Sequence, residues 1–189
     1  VTYNYEDLLP TITSRLQLIN IPSFSEEELK GYLVKNHGAT VKDAIKAYRI
    51  SNGSLLHAVA DIEEGNLDQL NWFADWMRYC ISAKYDFLSQ FSEQFKQIPR
   101  SKQQIKMRWS LEMIRNAILA KGAEDLISAQ GSERTFILKF SHAINLQGLE
   151  LIYKDLSETL YCLERHAHPQ MAQLALSIRI SQIIRTHRE

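Results

Sequence analysis

Arg15, which follows Ser14 in the stretch LLPTITSRLQ (residues 8–17), is the side chain best suited to chemistry in this sequence. A guanidinium is planar and always charged, and it can donate paired hydrogen bonds to phosphate oxygens. When a neighbouring subunit supplies it in trans, it stabilises the charge that develops during phosphoryl transfer. An arginine after an apolar run is also commonly a surface or salt-bridged residue. Position alone therefore leaves both interpretations open.

The histidines do not have the spacing of a metal site. His166 and His168 are two residues apart, and residues with that separation do not share a face of a helix. The sequence instead favours solvated or helix-end positions for this pair. The other histidines are His37, His57, His142 and His187. We therefore predict no metal site and no bound cofactor.

Acidic runs at residues 25–29 and 61–65 suggest acid/base pairs, but they are better explained as helix caps and solvated faces. Glu26 and Glu27 suit the positive end of a helix dipole, and Glu28 completes a capping box with Ser25. No phosphate-cradling GxxxxGK[ST] loop occurs in the sequence. We therefore do not expect the chain to bind ATP by itself.

Most of the chain has the periodicity of helices. The first two predicted helices start at Ser25 and Thr40, each followed three residues later by an acidic partner, and they end at Gly38 and at residues 51–53. Further helices are predicted at about 54–64, 101–121, 132–144, 147–166 and 169–186, with apolar stripes from Leu67 to Ile81 and from Phe87 to Ile98. Residues 1–22 lack this periodicity and are expected to form short strand or loop pieces. The predicted fold class is all-α apart from this N-terminal part.

Composition limits the remaining possibilities. The 189 residues carry 22 basic and 22 acidic side chains, so no global charge favours nucleic acid or membrane. Cys80 and Cys162 fall at apolar helix positions, which predicts reduced core residues of a cytoplasmic protein. Trp72, Trp76 and Trp109 are also expected in the core rather than in a base-stacking platform. The helix at residues 169–186 is apolar on most sides and is either central to its domain or pressed against another subunit.

The N-terminal third resembles clamp-loader subunits of the AAA+ superfamily at the end of their ATPase core. The matching elements are Thr2, the segment LLPTI (residues 8–12) and Ser14-Arg15, with Leu16 where the family has cysteine. The segments PSFSEEELKGYL and SNGSLLHAV are similar to parts of the family's three-helix lid, and CLERHAHPQM is similar to a pattern in bacterial delta-prime subunits of the DNA polymerase III clamp loader.

The resemblance implies specific roles. Arg15 would be an arginine finger that acts in trans on the ATP of a neighbouring subunit, and Ser14 would be its motif partner. Leu56 stands where members that hydrolyse ATP have the lid's nucleotide-sensing arginine, so the chain resembles the delta-prime type, which is not an enzyme by itself. The delta type is a poorer match because it generally lacks the Ser-Arg element.

Three parts follow from this resemblance: a remnant of the ATPase core (1–22), a three-helix lid (23–65) and a helical-bundle collar (66–189). We expect the C-terminal portion of a longer subunit of the DNA polymerase holoenzyme. Its expected partners are the gamma/tau and delta subunits and, through the assembled complex, the sliding clamp and primed DNA, with no membrane contact.

Two alternatives remain open. The first is an ATP-hydrolysing clamp-loader subunit of gamma/tau or replication-factor-C type. The second is a helical protein-interaction adaptor unrelated to AAA+ proteins, in which the N-terminal match arises by chance. An unrelated all-α enzyme is the weakest interpretation, since no convergent acid/base or metal set is present in the sequence.

Overall fold

The computed structural model describes residues 8–17, 19, 21–51, 53–64, 66–127, 129 and 131–188, without the side chains of residues 64, 66 and 67. Its helix content is 80%, and no strand occurs among the described residues. The all-α prediction is therefore confirmed. The strand expected at Val1 and the motif residue Thr2 lie outside the described residues.

The described helices follow the predicted order closely. They are α1 (Pro10–Thr13), α2 (Glu26–His37), α3 (Val41–Ser51), α4 (Leu55–Glu64), α5 (Asn66–Ser82), α6 (Tyr85–Gln97), α7 (Arg100–Leu119), α8 (Gly131–Ala143), α9 (Leu146–Glu164) and α10 (Pro169–Thr186), with a 3₁₀ helix at Glu124–Leu126. The helix α1 was not predicted, although Pro10 occupies its first turn, where a missing N–H costs nothing.

Local signals in the sequence account for the boundaries of α2. The Ser25 hydroxyl accepts from the Glu28 amide at 3.3 Å, and the Glu28 carboxylate accepts from the Ser25 amide at 2.9 Å. Gly38 ends the helix with a φ of 62°, a left-handed conformation that favours glycine. The predicted capping box and stop are both confirmed.

Helices α2, α3 and α4, which we call the small bundle, share a core of small and aliphatic side chains. Its buried members are Leu29, Leu33, Ala44, Ala47 and Ala58. Helices α5 to α10, which we call the large bundle, enclose a second and much larger cluster. The largest of its fully buried side chains are Trp76, Trp109, Phe73 and Phe95.

The tryptophans confirm the predicted core role, since Trp76 and Trp109 are buried and Trp72 is half-buried. The prediction for the cysteines is right for Cys80 and wrong for Cys162, which is exposed. Leu163 takes the core position on α9. Its neighbour Cys162 is rotated by about 100° around the helix, which turns the thiol toward solvent.

Helix α10 is central to the large bundle, where it packs against α5, α6 and α9. One side of it is polar even though it is buried. Gln173 and Ser177 lie one turn apart, and Ser177 accepts a hydrogen bond of 2.8 Å from the Trp76 indole. Ser92 of α6 donates to the Gln173 side-chain oxygen at 2.5 Å. Of the two placements predicted for this helix, the structure favours the central one.

The C-terminal end of the chain closes against the start of α9. The Asn145 amide donates to the His187 carbonyl at 2.9 Å. Gly148 lies beneath His187 so closely that an added Cβ would be 2.7 Å from the His187 Cβ and 2.8 Å from the Ile144 Cγ2. A side chain at position 148 would therefore collide with this closure.

Candidate functional site

Ser14 and Arg15 lie in the turn that ends α1. The Ser14 amide donates to the Pro10 carbonyl at 3.0 Å, and its hydroxyl contacts the Thr11 carbonyl at 3.3 Å. The Arg15 amide donates to the Ile12 carbonyl at 3.0 Å. The backbone of the motif is thus fixed by one turn of helix, and Ser14 satisfies a carbonyl at its end.

The Arg15 side chain is exposed and extends from a helix that buries none of its own residues. Within the described part of the chain, no hydrogen bond or ion pair joins its guanidinium to another residue. An exposed guanidinium on a short, hydrogen-bonded turn can reach an anion on a second molecule. The geometry therefore suits a contact made outside this chain.

Apolar side chains around the motif are also exposed. Six of them occur between residues 9 and 24, and they are Leu9, Ile12, Leu16, Ile19, Ile21 and Phe24. Single exposed apolar residues are normal on proteins, whereas a concentration of them marks a surface that another protein or domain covers. The motif thus lies in a stretch with the composition of an interface.

Leu56, at the predicted sensor position, is the second residue of α4 and is 65% exposed. It follows a close approach between two segments, because a Cβ on Gly53 would lie 3.0 Å from both the Phe24 carbonyl oxygen and the Ser23 Cβ. Gly53 also has a φ of 78°, which favours glycine. The segment that follows Arg15 is therefore held against the start of the helix that carries Leu56.

An aliphatic side chain at position 56 has no hydrogen-bond donor or charge. It therefore cannot contact a phosphate in the way that a guanidinium does. Its exposure places an apolar side chain on the surface at the start of α4.

His57, the next residue, is half-buried where α4 packs against α7. Burial lowers the pKa of His57, and the positive charge of Arg108 lowers it further. A hydrogen bond with Gln104 and the negative charge of Glu164 act in the opposite direction and are smaller. The His57 Nδ1 is buried without a hydrogen-bond partner. The side chain is shielded here because the large bundle covers this face of α4.

The other described histidines lie at helix ends or on the surface, and the two at helix C-terminal ends, His37 and His187, are half-buried. His168 accepts a hydrogen bond from the Met171 amide as the N-cap of α10, and His166 contacts Arg100. No group of three or more histidine, cysteine, aspartate or glutamate side chains that could hold a metal occurs among the described residues.

No protein-family model matches the sequence, and a search of curated proteins gives no match. In the part of the chain that the structure describes, no helix has both the length and the apolarity needed to cross a membrane.

Proposed function

We propose that this chain belongs to a delta-prime-type subunit of a bacterial DNA polymerase III clamp loader. In this proposal the chain itself hydrolyses no ATP, α2–α4 form the lid, α5–α10 form the collar, and residues 1–22 belong to the ATPase core. Its role is to assemble the loader and to supply Arg15 to the ATP site of an adjacent gamma/tau subunit. The complex would then place the sliding clamp on primed DNA.

The exposed Arg15 is the observation that carries the proposal. A finger in trans must leave its own chain, and Arg15 extends from a turn that its own backbone hydrogen bonds hold. These bonds fix the backbone from which the side chain extends, and they leave the guanidinium available to phosphate oxygens of a neighbouring subunit. The surrounding exposed apolar side chains support a subunit interface at the same place.

Leu56 supports the delta-prime type over the alternative of gamma/tau or replication-factor-C type. An ATP-hydrolysing member would need a charged group at the start of α4, and this chain has an exposed leucine there. The three short helices α2–α4 agree in number with the family's lid. An adaptor unrelated to AAA+ proteins would need neither feature.

The decisive experiment is Arg15→Ala in the subunit that contains this chain, reconstituted with its cognate gamma/tau and delta subunits. DNA-stimulated ATP hydrolysis at the neighbouring site should fall by about a thousandfold, the scale of arginine fingers supplied in trans. Arg15→Lys should restore little, because an ammonium cannot bind a phosphate in the bidentate manner. Turnover by the whole complex should fall less, to the level sustained by its other sites.

The matched control is Arg49→Ala, which removes an equally exposed guanidinium from α3. Co-elution of each variant with gamma/tau would establish that assembly is intact. An assembled Arg15→Ala complex with unchanged ATPase would contradict the finger role. A subunit that does not co-elute with gamma/tau and delta at all would favour the adaptor, and ATP hydrolysis by the isolated subunit would favour the gamma/tau type.

A further inference from the structure

Helix α3 contacts both bundles, and it divides its side chains between them. Ala44 and Ala47 belong to the core of the small bundle. Ile50, in contrast, is part of the hydrophobic cluster of the large bundle. Lys46 lies one turn before Ile50, so the two side chains lie on the same face of α3, toward the large bundle.

Lys46 joins three helices at this contact. Its ammonium donates to both carboxylate oxygens of Glu133 in the first turn of α8, at 2.7 and 2.9 Å, across 87 residues of sequence. The same ammonium lies 5.1 Å from the centre of the Trp109 ring of α7. Only 20% of the Lys46 side chain and 13% of the Glu133 side chain are exposed.

This arrangement positions α3 more specifically than the contact of Ile50 does. The contact of Ile50 is apolar, and apolar burial has no preferred orientation. An ion pair whose ammonium also lies over an aromatic ring holds α3 at a short distance from both α7 and α8. Because the pair is largely shielded from water, moving one partner away would leave the other as a poorly compensated charge.

A second polar contact crosses the junction close to the chain connection. The Gln69 side chain of α5 donates to the Asp61 carboxylate of α4 at 2.8 Å, and both residues are buried. The two residues are only eight positions apart in sequence, so their contact can hold the end of α4 and the start of α5 together. On the α3 side of the junction, the ion pair of Lys46 with Glu133 acts alongside the contacts of α3 and α4 with α7.

We propose that Lys46, held between Glu133 and Trp109, is a clamp that sets the angle between the small and large bundles. With the clamp closed, the two bundles turn as one body. With it open, the small bundle swings about the α4–α5 connection while each bundle keeps its own fold. This proposal does not depend on the clamp-loader assignment, because it concerns contacts within the chain.

The test measures orientation rather than stability. Spin labels are placed on the exposed positions Lys35 of α2 and Glu150 of α9 after Cys162→Ser removes the exposed thiol. Double electron–electron resonance then gives the distribution of distances between the bundles. The otherwise unchanged chain should give one narrow distance, and Lys46→Met should replace it by a broad distribution, with helical content retained by circular dichroism.

Glu133→Gln is a second test of the ion pair, because it removes the charge and keeps nearly the same side-chain shape. It should broaden the distance distribution in the same way. Lys46→Arg keeps the charge, the ion pair with the Glu133 carboxylate and the contact with an aromatic face, so it should keep the narrow distance. The control is Arg49→Met, an exposed cation three residues further along α3, which should leave the distance unchanged. A narrow, unshifted distance in both Lys46→Met and Glu133→Gln would overturn the clamp. If Lys46→Met does not fold, the comparison of Glu133→Gln with Lys46→Arg decides: the clamp predicts a broad distribution for the first and a narrow one for the second.

Discussion

The core of the small bundle contains leucine and alanine, whereas that of the large bundle is built around tryptophan and phenylalanine. Small side chains let the three short helices approach closely, but they bury little apolar area. Since about 25 cal/mol is gained per Å² of apolar surface buried, such a core stabilises weakly by itself. The small bundle therefore has the weaker core of the two, and it contacts the large bundle through Ile50 and Lys46. The large bundle depends mainly on its own aromatic residues.

The largest expected effect tests this asymmetry directly. Trp76→Ala should lower the free energy of unfolding by about 3 to 5 kcal/mol, because it removes a fully buried indole and opens a cavity. It also removes the donor to Ser177. Urea unfolding measures the change. Phe87→Ala, at an exposed position of α6, is the control, and an equal loss in both variants would contradict the assignment of the aromatic core.

Two glycine-to-alanine substitutions, one in each bundle, are expected to change the free energy of unfolding in opposite directions. Gly148→Ala in α9 should destabilise by about 1 to 3 kcal/mol, since the new methyl group meets His187 and Ile144 at under 3 Å. Gly31→Ala in α2 meets no atom within 4 Å. It should stabilise its helix by about 0.5 to 1 kcal/mol through reduced chain entropy. Thermal unfolding should show a lower melting temperature for Gly148→Ala and a higher one for Gly31→Ala. A stabilising Gly148→Ala would refute the described packing of Gly148 against His187.

The smallest effect is at the junction of the bundles. The pKa of His57 is lower in the folded chain than the ordinary value of 6.5, so below about pH 6.5 the unfolded chain binds more protons. Stability is therefore expected to fall as the pH decreases from about 6.5 toward the folded pKa. His57→Gln should flatten this part of the stability–pH curve measured in urea. The same change at the exposed His142 is the control, and an unaltered slope in His57→Gln would argue against the buried setting.

Local signals in the sequence were sufficient to predict most helices. Ser25 with Glu28, Gly38 and Pro99 mark helix ends by chemistry that operates within a few residues, and the structure places boundaries there. The exposure of Cys162 and the burial of His57 could not be read in this way. Both depend on which helix lies opposite, and that is a property of the tertiary arrangement rather than of a window of sequence.

The same limit applies to the candidate site. The residue types at Ser14, Arg15 and Leu56 can be read from the sequence, but their exposure and the contact of Phe24 with Gly53 cannot. The pairing of Lys46 with Glu133 spans 87 residues, and neither side chain carries a local signal for the other. Long-range polar contacts of this kind cannot be predicted from a single sequence.

The buried polar side of α10 determines the position of that helix along its own axis within the large bundle. Sliding it along its axis by one turn would carry Ser177 away from the Trp76 indole and Gln173 away from Ser92. Each polar group left without a partner in the core would cost about 1 to 3 kcal/mol. Leucine and isoleucine contacts alone would tolerate several neighbouring registers. The hydrogen bonds thus select one axial position for α10, so residues added to the turn before Pro169 should bulge outward and leave the helix in place.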